Sequence, residues 1–283
     1  MAAPIFQAVP HLERIIEMPK QKRGGHWWKL WKSVALTWWD VIVDLRGSAT
    51  AYVLPGWKRV VLKGNDDGLH RVVQLGGLIG LNPPPMPKVW TRKEDEDRAA
   101  QLVPNDGAPL LVVGPSANWI GKTWHAERFA ETINKLTEKG GVLENAHVLL
   151  VGAPNERSSA EHVIQSLPED KRTEIFGNEH LLTVMACLKK ADLYLGNDSG
   201  LMHMAAASGR PTLGLFGPSR DEHYSPFAKW GRAVRTDWSY DKIIANRTSW
   251  FSKENLMESL PVEKVVTAAT ELVSDFRAEE KDK

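Results

Sequence analysis

The sequence predicts an α/β protein of two domains, the second built on a parallel sheet with helices on both faces. The chain has 283 residues, of which 42% are hydrophobic, and one compact core seldom organises so long a chain. From about residue 107 onward, short apolar runs alternate with amphipathic stretches joined by short loops. Strands that alternate with helices in this way form parallel sheets of the Rossmann-like kind.

The amino-acid composition argues against several classes of protein. Lys and Arg number 36 against 35 Asp and Glu, a net charge of +1, which does not favour a nucleic-acid partner. The single cysteine, Cys187, excludes a disulfide framework or a multi-cysteine metal site and is typical of a reducing compartment. No apolar run reaches the roughly 18 residues that cross a bilayer, and no signal-peptide pattern follows Met1. We therefore expect a soluble, cytoplasmic protein.

The first hundred residues predict a smaller α/β domain. Residues 40–45, "DVIVDL", are typical of a buried parallel strand. Residues 60–81 predict a strand, a turn and a helix, and the charged segment 91–103 predicts a solvated helix. The turn-rich segment "PNDGAP" then interrupts regular structure, so we expect domains at residues 1–105 and 106–283.

An aromatic and basic segment precedes the first predicted strand. In "KQKRGGHWWKLWKSVALTWW", residues 20–39, tryptophans recur at helical spacing beside several lysines. One interpretation is a helix that packs on a sheet through its bulky residues. The other is a helix that lies on a membrane surface, with its basic side chains towards anionic headgroups.

The second domain repeats a strand–helix period. The predicted strands are residues 110–113, 146–151, 174–176, 193–195 and 212–216, and the predicted helices are 125–141, 156–167, 180–191 and 201–207. In such sheets, ligands bind beyond the carboxyl ends of the strands.

The segment "GNDSG" forms one of these strand-to-helix turns. Free backbone N–H groups and the positive helix end favour a phosphate beside Asp198, Ser199 and Gly200, and His203 lies on the same helix face as Ser199. The plainer alternative makes Asp198 or Ser199 an ordinary helix cap and His203 a half-buried helix residue.

Two other loops lead to the same edge of the sheet. Lys122, just before a predicted helix, is placed to contact a phosphate oxygen, unless it is simply a solvated lysine. Glu156, after the second strand, is placed to accept hydrogen bonds from a nucleoside, unless it only stabilises a helix start.

These loops carry a family resemblance. "GNDSGLMHMAAASGRPTLGLFGPS" closely resembles the signature of glycosyltransferase family 9, the bacterial ADP-heptose:lipopolysaccharide heptosyltransferases. "GPSANWIGKTWHAERFAE" and "VGAPNE" resemble the two upstream donor loops of that family in order and spacing. The resemblance covers residues 107–273 and implies the GT-B architecture, two Rossmann-like domains facing a cleft.

The resemblance also implies roles for individual residues. Lys122 would hold donor phosphate and Glu156 the adenosine part, while Asp198, Ser199 and Gly200 would hold the pyrophosphate and sugar. His203 would support that turn, and Ser116 and Asn118 would line the phosphate loop. It implies no cofactor, and we expect no metal because no Asp/His cluster has ligand spacing.

The N-terminal half departs from the family pattern. Relatives begin with a strand and a Gly-Asp turn that carries the catalytic base, and this chain starts after that point. We therefore expect an incomplete N-terminal domain, because of either a translation start placed too late or a shortened chain. The catalytic base is unassigned, with Asp44 and Asp66 as possible substitutes.

The function implied is an inverting transfer of heptose, or a similar sugar, from ADP-heptose to the anionic lipopolysaccharide core. A contact with the inner face of the inner membrane would fit the aromatic helix. The alternatives are a nucleotide-sugar epimerase of the same fold and an inactive donor-binding protein.

Overall fold

The computed structural model describes residues 3–63, 68–246 and 254–282. The chain divides into two compact units, Met1–Pro85 and Met86–Lys283. The boundary expected near Asn105 lies inside the second unit, because helix α4 (Lys93–Leu102) packs against helix α7 (Leu181–Leu188) of that unit.

The first unit contains a two-stranded parallel sheet in the part that the structure describes. Strands β1 (Trp39–Asp44) and β2 (Gly56–Val61) pair in register, with Val41 beside Lys58. Its helices are α1 (Gly25–Val34), α2 (Thr50–Val53) and α3 (Arg71–Leu78). The predicted turn at residues 64–68 and Asp66 lie outside the described residues, apart from Gly68.

Strand β1 is parallel, as predicted, but it is not buried. Val41 and Val43 point to one face and are 49% and 51% exposed. Among the described residues of this unit, the buried hydrophobic side chains are Val34, Ala51, Leu54 and Val60. A sheet of two strands covers too little area to enclose both of its faces, so the apolar run that suggested a buried strand remains half exposed.

The tryptophan segment divides between two elements. Helix α1 ends at Val34, and Trp39 begins β1, where its indole Nε1 donates to the Val34 carbonyl at 3.2 Å. Trp28 stacks on Trp31 at 5.0 Å between ring centroids yet remains 58% exposed. The chain therefore does not form a helix whose tryptophans all pack on a sheet.

The second unit is a six-stranded, fully parallel sheet in the order β5-β4-β3-β6-β7-β8. Its strands are β3 (Leu110–Gly114), β4 (His147–Gly152), β5 (Arg172–Phe176), β6 (Leu193–Asn197), β7 (Thr212–Phe216) and β8 (Gly231–Arg235). Its further helices are α5 (Ala126–Thr137), α6 (Glu161–Gln165), α8 (Gly200–Ala207), α9 (Asp221–Tyr224), α10 (Tyr240–Ala245) and α11 (Val262–Lys281).

The apolar runs of the central strands place a continuous core on this sheet. All five residues of β3, β6 and β7 are buried, as expected for strands covered on both faces. Trp124 is fully buried, packs edge-on against Phe129 and donates from its indole Nε1 to the Leu260 carbonyl at 3.0 Å. Burial raises the pKa of the Cys187 thiol to about 12, which makes it an unreactive core residue.

Several elements differ from the sequence prediction. The predicted helix 156–167 is a 3₁₀ segment, Pro154–Ala160, followed by the short α6. Helix α4 is not merely solvated, because Ala99 and Asp95 are buried. Strand β8 and helix α11 were not predicted, since charged residues interrupt the apolar pattern of both segments.

Candidate functional site

The order of the six strands creates one crevice at the centre of the sheet. From β3 the chain moves outward through β4 and β5, and it then returns to place β6 on the other side of β3. The loops after β3 and β6 therefore diverge at their carboxyl ends, which is where ligands bind in sheets of this type. All three loops predicted from the sequence belong to this central part of the sheet.

An ion pair joins the loops after β3 and β6. The Lys122 Nζ lies 2.7 Å from the Asp198 Oδ2, although 76 residues separate the two in sequence. The Asp198 side chain is 9% exposed and that of Lys122 is 28% exposed. Lys122 is therefore not a freely solvated lysine, and its ammonium group is held at the mouth of the crevice.

Asn197 connects the same two loops through hydrogen bonds beneath the ion pair, in the buried interior. This fully buried side chain accepts a hydrogen bond from the Trp124 backbone N–H at 3.0 Å and donates to the Pro115 carbonyl at 3.0 Å. A buried amide with both ends satisfied in this way holds its neighbours rigidly. The sequence did not mark Asn197 as a site residue, because its role depends on β3 and β6 being neighbours.

Glu156 bridges the loops after β3 and β4. Its Oε2 accepts hydrogen bonds from the Ser116 Oγ at 2.8 Å and from the Ala153 backbone N–H at 2.9 Å. The second bond is the helix-start role that the sequence left open, and the first links the carboxylate to the predicted phosphate loop. The second carboxylate oxygen, Oε1, makes neither of these bonds.

Ser199 stands at the cap position of helix α8 without capping it. Its backbone is extended, with φ of −148°, and its side chain makes no bond to the helix N–H groups. The plain capping interpretation of Ser199 is therefore wrong, and the N–H groups at this helix start remain open to a ligand. Gly200 begins the helix, and a Cβ there would meet no atom within 4 Å.

The remaining predicted residues lie on the exposed side of these loops. His203 is exposed, and its backbone N–H donates to the Ser199 carbonyl at 3.4 Å, so it is not the half-buried residue of the plainer alternative. Asn118 is exposed in the loop after β3. The roles expected for these two residues, His203 supporting the turn and Asn118 lining the phosphate loop, stay predictions.

Tyr194 is a residue of the same region that sequence reasoning missed. Its ring is fully buried on β6, and its hydroxyl occupies the space above Gly114 and Gly196, which pair across β3 and β6. A Cβ on either glycine would overlap that hydroxyl. The available signal was a tyrosine two positions before a glycine at a strand end, which is also an ordinary core pattern.

Asp44, one of the two possible bases, is engaged in the turn after β1. It accepts hydrogen bonds from the Ser48 Oγ at 2.7 Å and from the Arg46 backbone N–H at 2.8 Å. Partial burial raises its pKa, but these bonds lower it further, so the net pKa lies below the usual value. A carboxylate in this state is a weak base, and its contacts favour a structural role.

Over residues 3–63, 68–246 and 254–282, no group of three or more His, Cys, Asp or Glu side chains is arranged to hold a metal ion. None of the helices in the same ranges is long and apolar enough to cross a membrane.

The sequence is similar to known sugar transferases. Residues 70–249 match the family described as glycosyltransferase family 9 (heptosyltransferase). The lipopolysaccharide heptosyltransferase 2 of Salmonella typhimurium is 24% identical over 200 residues, which is 68% of this chain and 56% of the relative. The chain therefore spans about half the length of the curated relatives it matches.

Two solved structures share the fold. The glycosyltransferase family 9 protein of Veillonella parvula superposes with a TM-score of 0.79 at 19% identity, covering 96% of this chain and 86% of the other. The E. coli ADP-heptose lipopolysaccharide heptosyltransferase II superposes with a TM-score of 0.69 at 19% identity, covering 98% and 88%. These likenesses confirm the predicted α/β class and GT-B fold, and the family match covers more than half of the chain. The chain belongs to glycosyltransferase family 9, the heptosyltransferase family.

Proposed function

We propose that the protein transfers heptose from ADP-heptose to an anionic lipopolysaccharide core, with inversion at the anomeric carbon. The observation that carries this proposal is the Lys122–Asp198 pair at the central crevice, 2.7 Å between charged atoms and next to the open start of helix α8. A cation beside free helix N–H groups is an anion site. The related E. coli enzyme is named for ADP-heptose, which fits a diphosphate at this position.

The proposed reaction is a direct displacement. The acceptor hydroxyl oxygen attacks the anomeric carbon as the bond from that carbon to the diphosphate oxygen breaks. The hydroxyl proton passes to a base, and ADP leaves with the bonding electrons. Lys122 and the helix N–H groups then stabilise the negative charge that develops on the departing diphosphate.

We infer that Glu156 recognises the nucleoside part of the donor. Its Oε2 is engaged by Ser116 and by the Ala153 backbone, which fixes the orientation of the carboxylate. A fixed carboxylate accepts hydrogen bonds from ribose hydroxyls in many nucleotide sites on parallel sheets. We therefore assign the adenosine end to the loop after β4 and the diphosphate to the loops after β3 and β6.

The first unit is suited to contact an anionic membrane surface. Residues 18–39 contain five basic residues, Lys20, Lys22, Arg23, Lys29 and Lys32, and no acidic residue. Trp28 and Trp38 are 58% and 61% exposed, and Leu36 is fully exposed. Exposed indole rings beside cationic side chains are typical of surfaces that insert into the headgroup region of bilayers. A lipid-anchored acceptor would then be met at the inner face of the inner membrane.

The direct test is transfer in vitro. Purified protein is incubated with ADP-heptose and a lipopolysaccharide core that lacks heptose, and ADP and the acceptor mass are followed together. We expect each ADP released to match one acceptor lengthened by one heptose, with the opposite anomeric configuration by NMR.

Other outcomes favour other functions. An altered free or nucleotide-linked sugar without a lengthened acceptor would indicate the epimerase. ADP-heptose that binds but never turns over would indicate a donor-binding protein, and retention of the anomeric configuration would contradict direct displacement.

A further inference from the structure

Two buried hydroxyl groups meet where strand β6 enters the donor crevice. Tyr194 is fully buried, and its Oη extends along β6 over the paired glycines, Gly114 and Gly196, towards Ser199. Ser199 is the residue at the start of helix α8, where the phosphate is proposed to bind. A Cβ on either glycine would overlap the hydroxyl, so the absence of side chains there makes room for it.

Neither hydroxyl is satisfied by the protein. Within the described ranges, the Tyr194 Oη and the Ser199 Oγ are inaccessible to solvent, and neither has a partner at full hydrogen-bond geometry, although the two hydroxyls lie close enough to interact. Burial raises the pKa of Tyr194 above its usual value, and its proximity to Ser199 lowers it by less. The phenol is therefore a hydrogen-bond donor at neutral pH, and leaving two such groups unsatisfied is unfavourable.

We propose that Tyr194 is a positioning residue of the donor site that acts through Ser199. With a phosphate oxygen as acceptor, the Ser199 Oγ donates to the phosphate and accepts from the Tyr194 Oη. This inference rests on the proposed function, because it requires a diphosphate at the start of helix α8.

A bound phosphate would complete the hydrogen bonds of both hydroxyls. A serine hydroxyl is one donor and one acceptor, and it rotates readily. Without a phosphate, Ser199 can accept from the tyrosine, but its own proton still has no acceptor. A phosphate oxygen supplies that acceptor, so both buried hydroxyls become satisfied in one step, and bonds in such a chain strengthen each other.

Titration calorimetry with ADP and with adenosine tests this proposal. Tyr194→Phe keeps the ring and removes only the hydroxyl, and we expect about threefold to tenfold weaker ADP binding, the factor that one neutral hydrogen bond supplies. Adenosine, which lacks phosphate, should bind the variant and the wild type alike. In the Ser199→Ala background, Tyr194→Phe should cause no further loss, because the tyrosine acts only through Ser199.

Thermal stability separates this role from a structural one. Removing an unsatisfied buried hydroxyl should leave the melting temperature of Tyr194→Phe unchanged or raised. A lowered melting temperature with equal losses for ADP and adenosine would mean a structural role and overturn the proposal.

The matched control is Thr132→Val on helix α5. Thr132 is also fully buried with an unsatisfied Oγ1 among the described residues, but it lies outside the proposed site, so ADP affinity should not change.

Unchanged ADP affinity in Tyr194→Phe, or losses that multiply in the double variant, would overturn the role of Tyr194 while leaving the donor site intact. Wild-type protein that binds no ADP would instead reject the donor site itself, and this inference with it.

Discussion

Lys122 is held by Asp198 at 2.7 Å where the donor phosphate is proposed to bind. Removing the ammonium group by Lys122→Ala deletes a charge-assisted phosphate contact worth about 1.5–3 kcal/mol. We expect ADP affinity to fall about tenfold to a hundredfold by calorimetry. Lys139→Ala, on an exposed surface of the same unit, is the control and should bind like wild type. Equal affinities for all three proteins would remove Lys122 from the site.

Glu156 is expected to recognise the nucleoside and not the phosphates. Glu156→Ala should therefore weaken ADP by about tenfold, the value of one or two hydrogen bonds to a charged group, and hardly change the affinity for inorganic pyrophosphate. Calorimetry with the two ligands measures this contrast. A similar loss for both would mean that Glu156 acts on the phosphate loop through Ser116, to which it is bonded at 2.8 Å.

The sequence predicts candidate site residues but not which of them contact one another. Lys122, Glu156 and Asp198 are recognisable because each follows a predicted strand. Their contacts depend on β3 lying beside β6, and strand order is not encoded in the alternation of strands and helices. Tyr194 was missed for a related reason. Its hydroxyl lies over two glycines, Gly114 and Gly196, that are neighbours only because β3 pairs with β6.

Among the secondary-structure elements, the aromatic and basic segment around α1 is expected to bind anionic membranes. The protein should sediment with vesicles of phosphatidylglycerol and phosphatidylcholine and be released by high salt, because each Lys or Arg near an anionic surface contributes about 1 kcal/mol. Trp28→Ala with Trp38→Ala should weaken this binding by about tenfold or more, since both indoles are exposed and available for insertion.

An exposed tryptophan in the other unit controls this experiment. Trp238→Ala, where the ring is 43% exposed, should sediment like wild type, and circular dichroism should show all variants folded. Wild-type protein that remains in the supernatant at low salt would contradict the membrane surface.

Helix α4 carries a buried carboxylate where it contacts helix α7 of the second unit. Asp95 is 2% exposed, accepts from the Arg92 Nε at 2.8 Å and lies 3.4 Å from the Thr183 Oγ1 on α7. Burial raises the pKa of Asp95, but the bonds to Arg92 lower it more, so its pKa is below the usual value. Its contribution to stability is therefore present above the unfolded pKa of about 3.9 and is lost as the pH falls through the lower folded pKa.

Asp95→Asn should accordingly lower the free energy of unfolding by about 1–2 kcal/mol at neutral pH, a modest value because Arg92 is partly exposed. Denaturant unfolding as a function of pH should show this difference shrinking below about pH 4. Asp97→Asn, exposed on the same helix, should show little difference at any pH. A gap between wild type and Asp95→Asn that stays constant down to pH 2 would contradict the charge-based explanation.

Helix α4 is the element whose environment the sequence predicted wrongly. The segment "KEDEDRAAQL" has a polar average, so it predicts a solvated helix, but two of its residues, Asp95 and Ala99, are buried. A carboxylate in a buried position violates the binary pattern that sequence reasoning relies on. The domain boundary was expected after this helix, at the turn-rich segment "PNDGAP", whereas the helix packs against α7 in the second unit.

For the whole molecule, the larger unit should be an independent folding and binding unit. It contains the six-stranded sheet, its continuous apolar core and every loop of the proposed donor site. A chain of residues 86–283 should unfold cooperatively and bind ADP within about threefold of the full chain, since no donor contact is assigned outside it. A chain of residues 106–283, cut at the boundary first expected, should be less stable because it lacks α4 and exposes the face of α7 that buries Asp95 and Ala99. Calorimetric unfolding and ADP titration of both fragments measure their stability and their ADP affinity. Equal stability of the two fragments would show that the unit is wrongly defined. ADP binding that needs residues before Met86 would show the same.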